Sequence, residues 1–274
     1  MGSVEGVLRG LGLGGALYSS LLLAWAGAFP FFKRRPAWAK AWMIAVSRRA
    51  VPVALRGGGI DVVATGVENL EAVAKGGYIL VPNHASNIDP MALMVVLDRF
   101  DLAFVAKAET LRRPLLGNLL KAVGWVAVER ESLAALKKLQ EDVKARVATG
   151  WVPELVVFPE GTRSTDGKLQ KFQLGTFLLS AHLGLPIVPV IIRGTFPLHR
   201  KDAFLVQAGT VTVEFRPAIF PPPGKLKPLQ AVDAAADLMK KTRAIFEAVP
   251  DLTVPLSVAS RPNEATGSDR IEAK

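Results

Sequence analysis

The sequence contains no cysteine. That absence excludes a disulfide scaffold, a thiolate metal site and a cysteine nucleophile, and is compatible with a reducing compartment. Acidic residues are missing from residues 33–56, KRRPAWAKAWMIAVSRRAVPVALR, where Lys33, Arg34, Arg35, Lys40, Arg48, Arg49 and Arg56 stand without a counter-charge. Charge of either sign is missing from the 23 residues between Gly10 and Phe32. Two catalytic signatures are absent as well. There is no G-x-S-x-G elbow of a serine hydrolase. The stretch from Gly161 to Gly167-Lys168 fails as a phosphate-binding P-loop, because five residues separate the glycines instead of four and Leu169 replaces the Ser or Thr that would bind magnesium.

What is present starts with a net charge of +10 over 274 residues, a balance that by itself fits nucleic acid, an anionic membrane surface or an anionic substrate. Its distribution decides between them. Most of the excess lies in residues 33–56, directly after the uncharged run. As one helix that run would reach about 34 Å, enough to cross a hydrocarbon core. Gly10, Gly12, Gly14 and Gly15 weaken its first half and Pro30 ends it. A cleaved signal peptide is disfavoured by the positive charges that follow it. A buried core helix fits less well than an interface, given Trp25, Phe29, Phe31 and Phe32 beside a basic cluster. A second segment, Pro36 to Arg49, places Trp38, Trp42 and Ala45 along one face and Lys40, Arg48 and Arg49 elsewhere, the composition of a helix lying among lipid headgroups. The reading is therefore a two-helix, one-leaflet anchor over residues 1–52, with a single-pass anchor as the alternative. Trp25, Lys33, Arg34, Arg35, Trp38 and Trp42 are its contact residues, and its basic side faces the anionic lipids of the cytoplasmic surface of the cell membrane. No nucleic-acid-binding motif accompanies the basic run, so nucleic acid is not an expected partner.

From about residue 53 the pattern changes. Tyr78–Pro82, Leu102–Ala106, Trp125–Val128, Leu155–Phe158 and Ile187–Ile192 are continuous apolar runs, as strands covered on both faces require. Helix candidates lie between them at Pro90–Arg99, Pro114–Val123, Ser132–Thr149 and Gln173–Leu183. This alternation predicts one α/β domain over residues 53–250, with a mostly parallel central sheet flanked by helices. Ala203–Gln207 and Thr210–Arg216 are expected to form a terminal hairpin, and a last helix spans Lys227–Ala248. Residues 251–274 form a polar tail expected to be flexible.

Two segments carry the chemistry. Asn83-His84-Ala85-Ser86-Asn87-Ile88-Asp89-Pro90 follows the strand YILVP directly, at the end of a strand where α/β sheets bind ligands. Asp89-Pro90 suits a helix start. It also places a carboxylate where it can return to the His84 imidazole and hold Nδ1–H, leaving Nε2 free to take a proton from a hydroxyl. The second segment, Phe158-Pro159-Glu160-Gly161-Thr162-Arg163-Ser164, again follows a buried strand. It offers Gly for close approach, hydroxyl donors and an Arg suited to phosphate. Lys107 and Arg130 follow two further strands and could join Arg163 around one anion. His182 and His199 read as a helix-surface residue and a loop residue. No metal site is expected.

These segments resemble the 1-acylglycerol-3-phosphate acyltransferase family. NHASNID has the form of its N-H-x-S-x-x-D block and FPEGTRS matches its F-P-E-G-T-R-S block. Phe104–Glu109, Gly124–Arg130 and Leu185–Val190 stand in the expected order. The likeness covers roughly residues 60–220 and is similar to the membrane-anchored bacterial form. It implies acyl transfer from an acyl thioester, carried by acyl carrier protein or coenzyme A, to the sn-2 hydroxyl of lysophosphatidic acid, without a cofactor. On that likeness His84 is the general base and Asp89 orients it. Arg130 and Arg163 bind phosphate. Glu160, Gly161 and Thr162 help place the acceptor, and Lys107 lies close by. One departure stands out: where the family commonly has Lys after this Phe, the chain has Gln173 after Phe172. Glycerol-3-phosphate or another lysolipid as acceptor, a serine esterase using Ser86 or Ser164, and a non-enzymatic membrane binder are the competing readings.

Overall fold

The computed structural model describes residues 37–99, 102–113, 116–128, 133–201, 203 and 206–256, with isolated helical positions at Val4, Glu5, Leu8, Leu11 and Gly12. Trp25, Lys33, Arg34, Arg35 and Arg130 lie outside the described residues, as does nearly all of the uncharged run.

Seven strands form one sheet in the order β1-β7-β6-β2-β5-β3-β4. They are β1 Ile60–Thr65, β2 Tyr78–Pro82, β3 Ala103–Lys107, β4 Val126–Val128, β5 Glu154–Val156, β6 Ile187–Arg193 and β7 Gly209–Phe215. Strands β6, β2, β5, β3 and β4 pair in parallel. β7 is antiparallel to β6 and parallel to β1. The sheet is thus mostly parallel, with two reversed strands at one side. The helices are α1 Ala37–Gly57, α2 Ile88–Val96, α3 Ala108–Arg112, α4 Leu116–Val123, α5 Leu133–Val147, α6 Leu174–Leu183, α7 Thr195–Leu198 and α8 Pro228–Glu247.

The alternation of side chains along the strands feeds two cores. Leu80, Val188, Val190, Val213 and Phe215 face the end of α1 (Ala54, Leu55) and α2 (Ala92, Leu93). Ile79, Val81, Ile187 and Ile191 face α5 (Leu139, Val143), α6 (Phe177) and α8 (Leu238, Phe246). β2 is buried along its whole length, which is why its sequence is apolar without alternation. β1 is partly exposed on an edge, so its pattern carries no continuous apolar run and the sequence reading passes over it.

Three expectations need correction. The hairpin does not form: β7 pairs with β6 and β1, and Ala203, Val206 and Gln207 lie in no strand. Central strand β6 offers a longer apolar partner than the short segment before Ala208-Gly209. The boundary at 52/53 is crossed by α1, which continues through Pro52 to Gly57. Its last turns bury Val51, Ala54 and Leu55 in the core, so the apolar demand of the sheet extends the helix. The tail is packed at its start: Gly194 N–H donates to the Leu252 carbonyl at 3.1 Å, and Leu256 N–H donates to Thr212 Oγ1 at 3.3 Å.

On α1, Trp38 and Trp42 are exposed while Met43 is buried. Arg48 is not an uncompensated charge, because its guanidinium pairs with the Asp98 carboxylate beyond α2. Among the described residues, no helix is long and apolar enough to cross a membrane.

Candidate active site

Parallel pairing brings the carboxyl ends of β2, β5 and β3 to one edge of the sheet. His84 follows β2, the segment from Phe158 to Arg163 follows β5, and Lys107 ends β3. The sheet therefore gathers residues that stand up to 79 positions apart in the sequence.

The loop after β2 is held from both sides. The Asn83 side chain donates to the Ile192 carbonyl and accepts from Ile192 N–H, both at 2.8 Å, which ties the loop to β6. Asn83 is buried, so these bonds satisfy a group that would otherwise be costly to enclose. Helix α2 begins at Ile88 with Asn87 as its N-cap, which puts Asp89 one residue inside the first turn and not at the cap expected from the sequence. There its Oδ2 accepts from Ala85 N–H at 2.7 Å and Ser86 N–H at 2.8 Å. The same oxygen lies 2.8 Å from His84 Nδ1. Asp89 is fully buried and His84 is 19% exposed at its side chain. With the proton on Nδ1 directed at the carboxylate, Nε2 carries the lone pair.

The second loop meets the first through the backbone of His84. His84 N–H donates to Glu160 Oε1 at 2.7 Å, and the His84 carbonyl accepts from Ser164 N–H at 2.8 Å. Glu160 Oε2 accepts from Gln170 N–H at 2.8 Å. Burial pushes the Glu160 carboxyl up from 4.5 to about 7. The two backbone N–H donors oppose that rise, the nearby Asp89 adds to it and Arg243 opposes it. The loop is anchored beyond Gln170 by buried Phe172, which packs on Phe177 and Phe246 under the guanidinium of Arg243. Gly161 is exposed with φ +64°, a conformation that favours glycine, and Thr162 beside it is exposed.

Arg163 is half-buried and donates from Nη1 to the Lys201 carbonyl at 3.1 Å. His199 lies near it, its imidazole pushed down first by burial and then by the Arg163 charge. These two residues bring the segment after α7 into the site. Gln173, where the likeness leads one to expect Lys, packs beside Gly161: a Cβ at Gly161 would lie 3.7 Å from Gln173 Cγ. A neutral side chain thus borders the loop. Lys107 ends β3 and occupies the residue position just before α3, without a capping hydrogen bond from its side chain.

Ser86 and Ser164 are buried with their hydroxyls engaged. Ser86 Oγ donates to the His199 carbonyl at 2.7 Å and accepts from Ile88 N–H at 3.2 Å. Ser164 Oγ donates to Asp166 Oδ1 at 3.0 Å. Both hydroxyls brace loops, which argues against a serine nucleophile. Among the described residues, no three His, Asp or Glu side chains gather as a metal site requires.

Sequence reasoning missed Phe158 as a site residue. Its ring stacks on His84, with centroids 3.9 Å apart and planes inclined by 23°. It also missed the segment from His199 to Lys201, whose carbonyls hold Ser86 and Arg163. The signal for Phe158 was its place at the end of a buried strand. Nothing local marks a loop that serves through its backbone carbonyls.

A family model described as "Acyltransferase" matches residues 62–193. The chain is 39% identical over 142 residues to a 1-acyl-sn-glycerol-3-phosphate acyltransferase of Limnanthes douglasii, a match covering 52% of this chain and 50% of that protein. It thus spans about half the length of that relative. It is 28% identical over 174 residues to the protein of the same name in Borreliella burgdorferi, covering 63% of this chain and 67% of that one. Its fold is similar to the crystal structure of the 1-acyl-sn-glycerophosphate (LPA) acyltransferase PlsC from Thermotoga maritima. The TM-score is 0.66 at 24% identity, over 90% of this chain and 98% of that one.

Proposed function

The chain belongs to the acyltransferase family that includes the 1-acyl-sn-glycerol-3-phosphate acyltransferases, and on that premise we propose that it transfers a fatty acyl group from an acyl thioester to the sn-2 hydroxyl of lysophosphatidic acid. The product is phosphatidic acid. The observation that carries the reading is the His84 Nδ1–Asp89 Oδ2 bond of 2.8 Å, buried at the carboxyl edge of a parallel sheet beside the loop bearing Arg163.

In the proposed reaction the acceptor hydroxyl gives its proton to His84 Nε2 and its oxygen attacks the thioester carbonyl. Collapse of the tetrahedral intermediate re-forms the carbonyl and releases the thiol, which recovers the proton from His84. Asp89 keeps the imidazole in the required tautomer and stabilises its charged form. Arg163 and Lys107, together with Arg130, which comes two residues after β4 in the sequence, supply positive charge for the acceptor phosphate. Holding that phosphate brings the hydroxyl to the base at attacking distance, which lowers the entropic part of the barrier. The acyl donor is acyl carrier protein or coenzyme A carrying the chain. No cofactor enters the scheme.

We place the reaction at the cytoplasmic face of a cell membrane, with residues 1–52 as a monotopic anchor. The exposed Trp38 and Trp42 on α1, which lie within the basic segment that follows the uncharged one, support that placement. The two substrates are amphiphiles, so an enzyme held at the interface meets them where they reside.

The test is product analysis by mass spectrometry with lysophosphatidic acid and both donors. Wild type is expected to give phosphatidic acid, and His84→Ala none above background. Near-normal turnover in His84→Ala would remove His84 as the base. Glycerol-3-phosphate acylated in preference to lysophosphatidic acid would replace the acceptor.

A further inference from the structure

The likeness assigns Glu160 to the acceptor, but its geometry assigns it elsewhere. Glu160 is 4% exposed as a residue. One oxygen accepts from the backbone N–H of His84 and the other from the backbone N–H of Gln170. Those donors belong to different structures. His84 lies in the loop after β2, whereas Gln170 closes the far end of the loop that carries Gly161, Thr162 and Arg163. Resting on the function proposed above, we propose that Glu160 is a positioning residue that locks the base to the acceptor loop, rather than a group that contacts the acceptor.

Three physical points carry this. First, each oxygen holds a charge-assisted bond of 2.7 or 2.8 Å, so turning toward a substrate would strand a buried backbone N–H. Second, a carboxylate in contact with a phosphorylated acceptor would repel it, whereas one sealed beneath the loop binds only donors of the protein. Third, the lock is redundant in direction and unique in span. Ser164 N–H holds the His84 carbonyl, and Arg243 Nη1 of α8 reaches the Gln170 carbonyl at 3.3 Å. Glu160 alone, among the described hydrogen-bonding side chains, bonds both His84 and Gln170. Movement of Arg163 is thereby coupled to movement of His84 through one side chain, and the hydroxyl-to-Nε2 distance depends on that coupling.

The test uses the full-length protein carrying Glu160→Gln. The amide keeps one acceptor oxygen and turns an NH2 toward an N–H donor, so one of the two bonds is lost. Turnover at saturating acceptor should fall about 100-fold, the scale of a misplacement of about 1 Å. Equilibrium binding of lysophosphatidic acid, measured without acyl donor, should change less than about 3-fold, since the phosphate contacts stay. Hydrogen–deuterium exchange of peptides covering residues 79–90 and 165–173, read without any substrate, should accelerate in the variant. Glu160→Asp keeps the charge but is one methylene short of spanning both donors. In a protein that melts like wild type it should repeat the pattern. Unchanged exchange at residues 79–90, or a loss carried by acceptor affinity with turnover preserved, overturns the proposal. Absence of acyl transfer by wild type would overturn the function alone, because the exchange measurement does not depend on it.

Discussion

The Phe158 ring lies against the imidazole of His84, 3.9 Å from it between centroids and inclined by 23°. Phe158 in turn stands 6.4 Å from Phe104, whose ring stacks on Trp125 at 4.7 Å. His84 is therefore fixed on three sides: Asp89 at Nδ1, backbone bonds at both its N–H and its carbonyl, and an aromatic floor under the ring. Aromatic stacking contributes about 0.5–1.5 kcal/mol beyond area burial. In Phe158→Leu, which keeps most of the apolar volume but loses the flat face, turnover should fall about 3- to 10-fold with acceptor KM within about twofold. Steady-state kinetics checks this, and unchanged turnover would show that the stack plays no part in holding the ring.

Asp89 Oδ2 receives three donors while Oδ1 is buried without a partner. Asn at this position can present its oxygen to the same three donors, so the loop should keep its form while the negative charge disappears. Asp89→Asn is expected to lower turnover by at least about 100-fold, within the range of general acid–base catalysis. Loss of the charge from the first turn of α2 should cost about 1 kcal/mol of stability. Single-turnover kinetics and thermal melting separate the two effects.

The Glu160 carboxyl, raised from 4.5 to about 7 by burial, makes stability depend on pH in a definite direction. The folded state holds this proton more tightly than the unfolded chain does. The group's contribution is therefore most favourable below pH 4.5, declines as pH rises to about 7, and is level above. The shift corresponds to about 3 kcal/mol. The groups that act on it are the backbone N–H donors of His84 and Gln170, the Asp89 carboxylate and the Arg243 guanidinium. Glu160→Gln has no proton to lose, so the difference in stability between variant and wild type should grow in the variant's favour from pH 5 to 8. Urea unfolding at several pH values reads that difference, and a constant difference would refute the titration. The proposed lock requires the ionised form, so stability and turnover should oppose each other across this range.

The start of the tail is part of the site's support. Gly167 has φ +81°, and a Cβ there would lie 2.7 Å from Thr253 Cγ2 and 2.9 Å from Phe196 Cδ1. Gly167→Ala should destabilise the fold by about 1–3 kcal/mol and raise the acceptor KM, because the loop bearing Arg163 must shift to admit the methyl group. Truncation after Pro250 should raise KM in the same direction, whereas truncation after Leu256 should not if the packed residues alone provide the support. Kinetics on the three proteins, with thermal melting, checks the order.

Much of this was legible in the residues. Continuous apolar runs announced the central strands, because a strand buried on both faces has no polar side to show. Tyr78–Pro82 and Ile187–Arg193 fall where that rule puts them, to within one residue. The pairing of His84 with Asp89 was also within reach, since a five-residue return across a turn is a local event. Edge strand β1, the partner of β7 and the packed residues 251–256 were not legible, because each depends on which distant surface remains to be covered.

The sequence by itself determined the chemistry available here. It has an imidazole with a carboxylate close by in the chain, cations after several strands, no thiol, and a basic segment next to an uncharged one. Those are matters of residue type and short spacing. Only the tertiary structure decided which groups meet. Parallel pairing of β2 with β5 laid two loops side by side, so the backbone of His84 came within reach of a carboxylate 76 residues away. No local pattern encodes that contact, since its partners are brought together by burial of the strands beneath them. The same burial turned Glu160 from a loop acid into a buried one with both oxygens held.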